Sequence, residues 1–377
     1  MIKVGVVTFF KNNNYGSVLQ CYALQQVLKE LGVQPVALNQ QERGLSWKWK
    51  KLFRVLCLGF GIVRYPKRCK NVFKSAKESR RSCAELSVQT RKAFDEFVDS
   101  TIIYKDQSFS GLKKSKEYSF FISGSDQVWG TSGYFLNPFM FLRFAPKEKR
   151  YAYAASFGAD DCPIWYEKKV KKYINEYERV SVREQAGVHI TRTMGINARL
   201  DIDPTMLLGA TQWRKISAAF NDKNCLFAYF LNEPSDLAIE HINKIIEKDE
   251  IERVVIAPYR FDKMNKINSQ VQYSELSPNE FLGVVDGAKI VCTDSFHGAV
   301  FSIIFRKRFY SYYRQYTHGV SQNNRIETLL KSFSLQNQLI VDGNSFGNPD
   351  YSSIDLVLQK SSDYAVDFLR GIIEENT

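Results

Sequence analysis

The chain has four histidines, His189, His241, His297 and His318, and His297 stands where acid–base chemistry is easily built. It lies in CTDSFHGAVFSI, after an apolar strand pattern and at the entry to a helix. An imidazole titrates near about pH 6.5 when unperturbed, so it can give or take a proton under physiological conditions. A helix start also presents unsatisfied N–H groups and the positive end of a dipole to any anion beside it. The N–H groups of Gly298, Ala299 and Val300 and the Ser295 hydroxyl are therefore expected at a phosphate or carboxylate, with Gly298 letting the ligand come close to the backbone. The plainer alternative has Asp294 and Ser295 capping the helix, with His297 a satisfied neighbour.

Arg183 ends the short apolar run VSVR and precedes a second helix pattern. Its guanidinium fork matches a carboxylate or phosphate. A salt bridge to Glu184 or another acid fits the same position equally well. Asp126, in SGSDQVW, again follows a strand pattern. A carboxylate there suits accepting a proton from a hydroxyl, and Gln127 and Trp129 beside it suit a sugar. The alternative is a turn aspartate bonded to its own backbone. Asn14, Tyr15 and Gly16 lead into the first helix, where they either contact hydroxyls of an acceptor or close a turn.

These residues need elements that aim them at one place. Residues 2–10 read as a buried strand and Ser17 to Leu31 carries apolar residues at helical spacing. Gly32 ends that helix and Val33 to Leu38 is the next strand, a βαβ unit that implies parallel pairing. Further strands are expected at Phe120–Ile122, Arg150–Phe157 and Val180–Arg183. The helices expected with them are at about 165–177 and after Glu184. Asp201-Ile202-Asp203-Pro204 breaks the pattern. A second set follows, with strands at Cys225–Leu231, Arg253–Ala257, Ile290–Thr293 and Arg308–Tyr312. Its helices are expected at Ser235–Lys248, from Pro278 after the cap Ser277, after His297 and at Asn324–Ser332. The fold class is α/β, two Rossmann-like domains facing across a cleft. Ligands of such sheets lie at the carboxyl ends of the strands. The expected divisions are 1–205, 206–345 and a C-terminal helix within 346–377 that crosses back to the first domain.

A chain of 377 residues with 44% hydrophobic and 24% charged residues can bury two cores. It has no apolar run of membrane-spanning length, and its first residues lack the pattern of a signal peptide, so a cytoplasmic location is expected. The seven cysteines are scattered without a CxxC pair, and no carboxylate–histidine cluster calls for a metal or cofactor. The net charge of +12 is concentrated. Residues 43–92 hold 15 Lys and Arg against two Glu, a net +13 that leaves −1 for the rest. A nucleic-acid binder is not expected from that distribution. Within the segment, residues 45–73 mix Trp47, Trp49, Phe53, Phe60 and Tyr65 with cations. That mixture suits an anionic membrane surface, a solvated helical hairpin or a patch for a polyanionic glycan. P-loop, G-x-G-x-x-G, H-E-x-x-H and G-x-S-x-G motifs do not occur.

An ordered set of pieces resembles the polysaccharide pyruvyltransferase family: NNNYGSVLQCYALQQVLKELG, FISGSDQVW, YAASFG, SVREQAG, DIDPTMLL, CTDSFHGAVFSI and NNRIETLL. The resemblance runs from about residue 1 to residue 335 and omits the basic segment. It implies a fold similar to two-domain, GT-B-like glycosyltransferases, with phosphoenolpyruvate as donor and a glycan hydroxyl pair as acceptor, free or carried on a lipid at the inner membrane face. It also implies that Arg183 and His297 hold the donor, with Asp126 near the cleft. A nucleotide-sugar glycosyltransferase and a non-catalytic assembly factor at the membrane are the alternatives.

Overall fold

The computed structural model describes residues 2–41, 86–131, 136–315, 322–343 and 347–377. The segment 45–73 expected at a membrane surface lies outside them, as does most of the basic region 43–92.

The apolar runs form two parallel sheets. The first has seven strands, β1 (Lys3–Val7), β2 (Gln34–Gln40), β3 (Tyr104–Gln107), β4 (Phe120–Ser123), β5 (Arg150–Ala155), β6 (Arg179–Val182) and β7 (Arg199–Leu200), in the order 3-2-1-4-5-6-7. The second has six, β8 (Cys225–Phe230), β9 (Arg253–Pro258), β10 (Gln270–Tyr273), β11 (Ile290–Thr293), β12 (Arg308–Tyr312) and β13 (Leu339–Ile340), in the order 10-9-8-11-12-13. Each sheet reverses its winding between its first and fourth strands. β1 pairs with β4 and β8 pairs with β11, which puts a switch point in each domain. Both sheets are buried in the middle, so β4, β5, β8 and β11 read as unbroken apolar runs.

Among the described helices, α1 (Tyr15–Glu30), α2 (Val88–Thr101), α3 (Phe109–Lys114), α4 (Ile164–Ile174), α5 (Gln185–Thr193) and α6 (Ala210–Arg214) come before β8. Then come α7 (Asp236–Asp249), α8 (Pro278–Gly287), α9 (Phe296–Ile304), α10 (Asn324–Ser332) and α11 (Tyr351–Glu374). The spacing placed the start of α1 at Ser17. The helix begins two residues earlier because Asn14 is its cap and Oδ1 accepts from Ser17 N–H at 3.1 Å.

The two domains share one core. Tyr15 of α1 stacks on Phe281 of α8, with ring centroids 4.5 Å apart, and donates its hydroxyl to Leu276 O at 2.7 Å. Phe94 of α2 and Tyr229 of β8 complete that cluster. Helix α11 begins on the second domain, where Tyr351 donates to Ser302 O at 3.2 Å. It ends on the first, where Asn376 donates to Tyr151 Oη at 2.9 Å and Glu375 pairs with Arg179. Among the described residues no helix is long and apolar enough to cross a membrane.

Candidate active site

The carboxyl ends of both sheets open on one cleft of about 220 Å³. The first domain contributes Asn12, Asn14, Ser17, Asp126 and Gln127 to its walls. The second contributes Ser295, Phe296, His297, Arg314 and Arg325.

Asp126 follows β4 with φ of 65°, a conformation that aspartate tolerates better than most residues. Its carbonyl accepts from Val128 N–H at 2.7 Å and Ser156 N–H at 3.0 Å, which locks the turn. Its carboxylate accepts from Ser17 Oγ at 2.6 Å and Arg183 Nη2 at 3.1 Å. Asn12 donates in turn to Ser17 Oγ at 3.0 Å, so an amide, a hydroxyl and a carboxylate are chained along one wall. Burial pushes the Asp126 carboxyl up, but Arg183, His297, the Ser17 hydroxyl and Arg325 outweigh it and hold it below the usual range.

His297 is the second residue of α9. Its ring lies directly on α1: a Cβ built on Gly16 would sit 1.9 Å from Nδ1. Only glycine leaves room for the imidazole at that point. Nε2 is buried and faces Asp203 Oδ2 at 3.7 Å. Asp203 also accepts from Arg183 Nη1 at 2.7 Å, Ser125 Oγ at 3.1 Å and Thr205 Oγ1 at 2.7 Å. Burial opposes its charge. The nearby imidazole, the guanidinium and Thr205 nevertheless keep the carboxyl far below the normal range, so Asp203 is a permanent anion under the histidine.

Arg183 corrects the expectation that it reaches into the cleft. Its side chain has no exposure. It pairs with Asp203 and Asp126, lies 3.7 Å from Glu184 and packs on the Phe296 ring at 4.8 Å. Three carboxylates surround one guanidinium, and the nearest one to each side of it outcompetes a diffusing anion. The salt-bridge alternative describes it. Glu184 accepts from Phe157 N–H at 2.9 Å, and burial raises its carboxyl pKa despite Arg183 and Arg325.

The helix start also differs in detail. Gly298 N–H bonds to Ser295 Oγ at 3.4 Å and Ala299 N–H to Ser295 O at 3.0 Å, so neither N–H is left for an anion. Gly298 is small because Thr293 and Tyr229 press on it: a Cβ would meet Thr293 Oγ1 at 2.4 Å. Ala299 has no exposure. Ser295 and His297 face the cleft; Gly298 and Ala299 do not. Tyr15 is the interdomain anchor described above, which removes it from the substrate contacts, and Gly16 acts by admitting the His297 ring. Asn14 and Gln127 remain at the cleft. Trp129 is fully buried against Phe141 and Phe157, away from any sugar.

The cations that do line the cleft are Arg314, after β12, and Arg325, at the start of α10. Arg314 donates through Nη2 to Asp294 O at 3.3 Å, with Nε 3.5 Å from the Asp294 carboxylate. Asp294 in turn accepts from Leu231 N–H at 2.7 Å and Asn232 N–H at 3.0 Å. Arg325 pairs with Gln322 and, with the amide turned to face it, with Gln127 at 3.0 Å. The sequence pattern alone does not single out Arg325, Arg314, Ser17 or Asp203 as site residues. The position of Arg314 immediately after a strand was the available signal. Among the described residues no His, Cys, Asp and Glu are grouped to hold a metal.

The family model described as polysaccharide pyruvyl transferase matches residues 14–316. No curated protein matches the chain. Among solved structures, UDP-GlcNAc 2-epimerase from Neisseria meningitidis bound to UDP-GlcNAc has 8% sequence identity and a TM-score of 0.50. That match covers 99% of this chain and 99% of that one. UDP-GlcNAc 2-epimerase from Methanocaldococcus jannaschii has 10% identity and a TM-score of 0.48, over 98% of this chain and 99% of that one. Arabidopsis thaliana UGT89C1 complexed with quercetin has 11% identity and a TM-score of 0.43, over 98% of this chain and 93% of that one. At such identities the first likeness shows the fold alone: two Rossmann-like domains in a GT-B-like arrangement.

Proposed function

The chain belongs to the polysaccharide pyruvyl transferase family, and from that premise we propose that it uses phosphoenolpyruvate as donor. The pyruvyl group goes to a pair of hydroxyls on a sugar of a bacterial surface polysaccharide or its lipid-linked precursor, with release of phosphate. One observation carries the reading. Two guanidiniums, a hydroxyl and an imidazole face the carboxylate Asp126 across a cleft of about 220 Å³. A donor with a carboxylate and a phosphate needs two anion-binding groups. Arg314 and Arg325 supply them, with Ser295 at the dipole end of α9.

Each residue then has a task. His297 delivers a proton to the methylene carbon of the donor, and the central carbon becomes electrophilic. Asp203 holds the imidazolium that precedes the transfer. One sugar hydroxyl attacks the central carbon and its proton passes to the imidazole, which restores the acid. The bond from that carbon to the phosphate oxygen breaks, a second hydroxyl closes the ketal, and its proton leaves with the phosphate. Two hydroxyl protons thus end on the methyl carbon and on phosphate, and no redox partner is needed. Against the effect of burial, the Asp126 carboxyl is held below its usual range by Arg183, His297, Ser17 and Arg325, which favours its charged form. Its fixed negative charge accepts a hydrogen bond from the acceptor hydroxyl and stabilises positive charge growing on the pyruvyl carbon.

The test is incubation with phosphoenolpyruvate and lipid-linked oligosaccharide from the host. Phosphate release together with a pyruvyl mass gain on the glycan is the expected result. Binding of a nucleotide sugar without phosphoenolpyruvate turnover supports glycosyl transfer instead.

A further inference from the structure

Two strands along from the cleft, the second sheet opens a separate cavity of about 200 Å³ at the ends of β9 and β10. Its lining includes Tyr259, Arg260, Tyr273, Ser274 and Glu275. Strand register places it beside the cleft. Phe230 pairs with Pro258, so the next residues, Leu231 of the cleft and Tyr259 of the cavity, lie side by side at the same sheet level. The cavity therefore opens beside the Leu231 edge of the cleft, one strand over, where a further unit of a bound chain can lie.

The chemistry differs from that of the cleft. Arg260 and Glu275 contribute one charge of each sign. The Arg260 guanidinium lies over the Tyr273 ring at 4.8 Å, which fixes its plane. Glu275 accepts from Thr90 Oγ1 at the start of α2, and its pKa is lowered first by its hydrogen bonds to Ser87 and Thr90 and then by Arg260. It is an ionised acceptor held at a fixed place. Two tyrosine rings, a pre-set donor fork, a pre-set acceptor and the Ser274 hydroxyl suit the apolar face and the hydroxyl edge of a neutral pyranose. A dianion gains nothing from a site whose charges cancel.

We propose that this cavity is a glycan subsite. It binds a neutral sugar of the acceptor one or two units away from the sugar that is modified, and it favours an oligosaccharide repeat over a single sugar. The proposal rests on the reading of the protein as a transferase acting on a glycan.

Arg260 is exposed at the rim and neither Arg260 nor Tyr259 lines the cleft; unchanged urea unfolding of Arg260→Ala and Tyr259→Ala checks that the neighbouring interdomain cluster is kept. Oligosaccharide released from the host's lipid-linked precursor is titrated into the full chain by calorimetry. Its KM is measured beside that of its component monosaccharides. The wild type is expected to bind the oligosaccharide at least tenfold more tightly than any single component. Both variants are expected to weaken that binding about tenfold, with the KM for phosphoenolpyruvate and the rate on monosaccharides unchanged. Equal affinity of wild type and variants for the oligosaccharide overturns the proposal. So does UDP binding that Tyr259→Ala abolishes in a protein that ignores the oligosaccharide. The binding arm reads the subsite without turnover. A protein that binds oligosaccharide through Tyr259 and Arg260 but releases no phosphate therefore sinks the donor assignment and keeps the subsite.

Discussion

Arg183 follows β6 and Arg325 opens α10; both are buried and both guanidiniums bear on the Asp126 carboxylate, but only Arg325 lines the cleft. Arg183 is sealed among Asp126, Asp203 and Glu184. Arg325 and Arg314 stand in the wall of the cleft, Arg325 beside the Gln127 and Gln322 amides and Arg314 beside Asp294. Both positions suit an anion-binding arginine in sequence. What separates them is position. Arg183 is enclosed by three carboxylates and holds them in place, whereas Arg325 and Arg314 stand in the cleft wall, where a ligand can join the partners they already have. The first region keeps Asp126 and Asp203 ionised and correctly aimed; the second uses that frame to hold a donor.

The largest effect expected is at the point where the regions meet. His297→Ala is expected to lower kcat by about 10²–10⁴-fold, since general acid–base help is lost while the cleft cations stay. A rate within a factor of two of wild type, measured as phosphate release, removes His297 from the chemistry. Gly16→Ala is a sharper version: its methyl displaces the ring without deleting it, so kcat is expected to fall while the KM for phosphoenolpyruvate changes less.

Next comes the buried side. Arg183→Met leaves three carboxylates without their cation and is expected to cost about 3–5 kcal/mol in urea unfolding. Arg325→Ala is expected to cost less stability than Arg183→Met, about 1–3 kcal/mol for the Gln127 and Gln322 amides left unpaired, and to raise the KM for phosphoenolpyruvate about 10–100-fold. If the two variants exchange phenotypes, the distinction between the regions is wrong.

Acid stability follows from the same groups. Asp126 and Asp203 have depressed pKa values in the fold. Their contribution is therefore complete above the unfolded value of about 3.9 and is lost as pH falls through their folded values. Glu184 and Asp294 are raised, so their burial cost is relieved over the interval where they protonate ahead of the unfolded chain. The net loss of stability is expected below about pH 4, and Arg183→Met is expected to move the acid midpoint upward. The smallest effect is at the interdomain anchor. Tyr15→Phe removes one hydrogen bond to Leu276 O and keeps the ring stack, a loss of about 1 kcal/mol with unchanged KM.

Much of the frame was legible because buried parallel strands such as Cys225–Phe230 and Ile290–Thr293 are unbroken apolar runs. Strands β3, β10 and β7 were not, because Tyr104–Gln107 and Gln270–Tyr273 are half-exposed edge strands without that run, and Arg199–Leu200 is two residues long. At the site, position after a strand pointed to Asp126 and His297, and both line the cleft. The same signal misplaced Arg183, because sequence does not show that Asp203, twenty residues later, folds back under β6. It gave Gly298 to a ligand when a Thr293 side chain occupies that space. Arg325 was hidden because its partner Gln127 is nearly two hundred residues away and belongs to the other domain.

The most direct test is a calorimetric titration of phosphoenolpyruvate into the wild type and into Arg325→Ala, each first shown to be folded by a cooperative urea transition. Binding by the wild type, weakened at least tenfold in the variant, is the expected result. Equal affinity in the two proteins, or no binding to the wild type, contradicts a donor held by the cleft arginines.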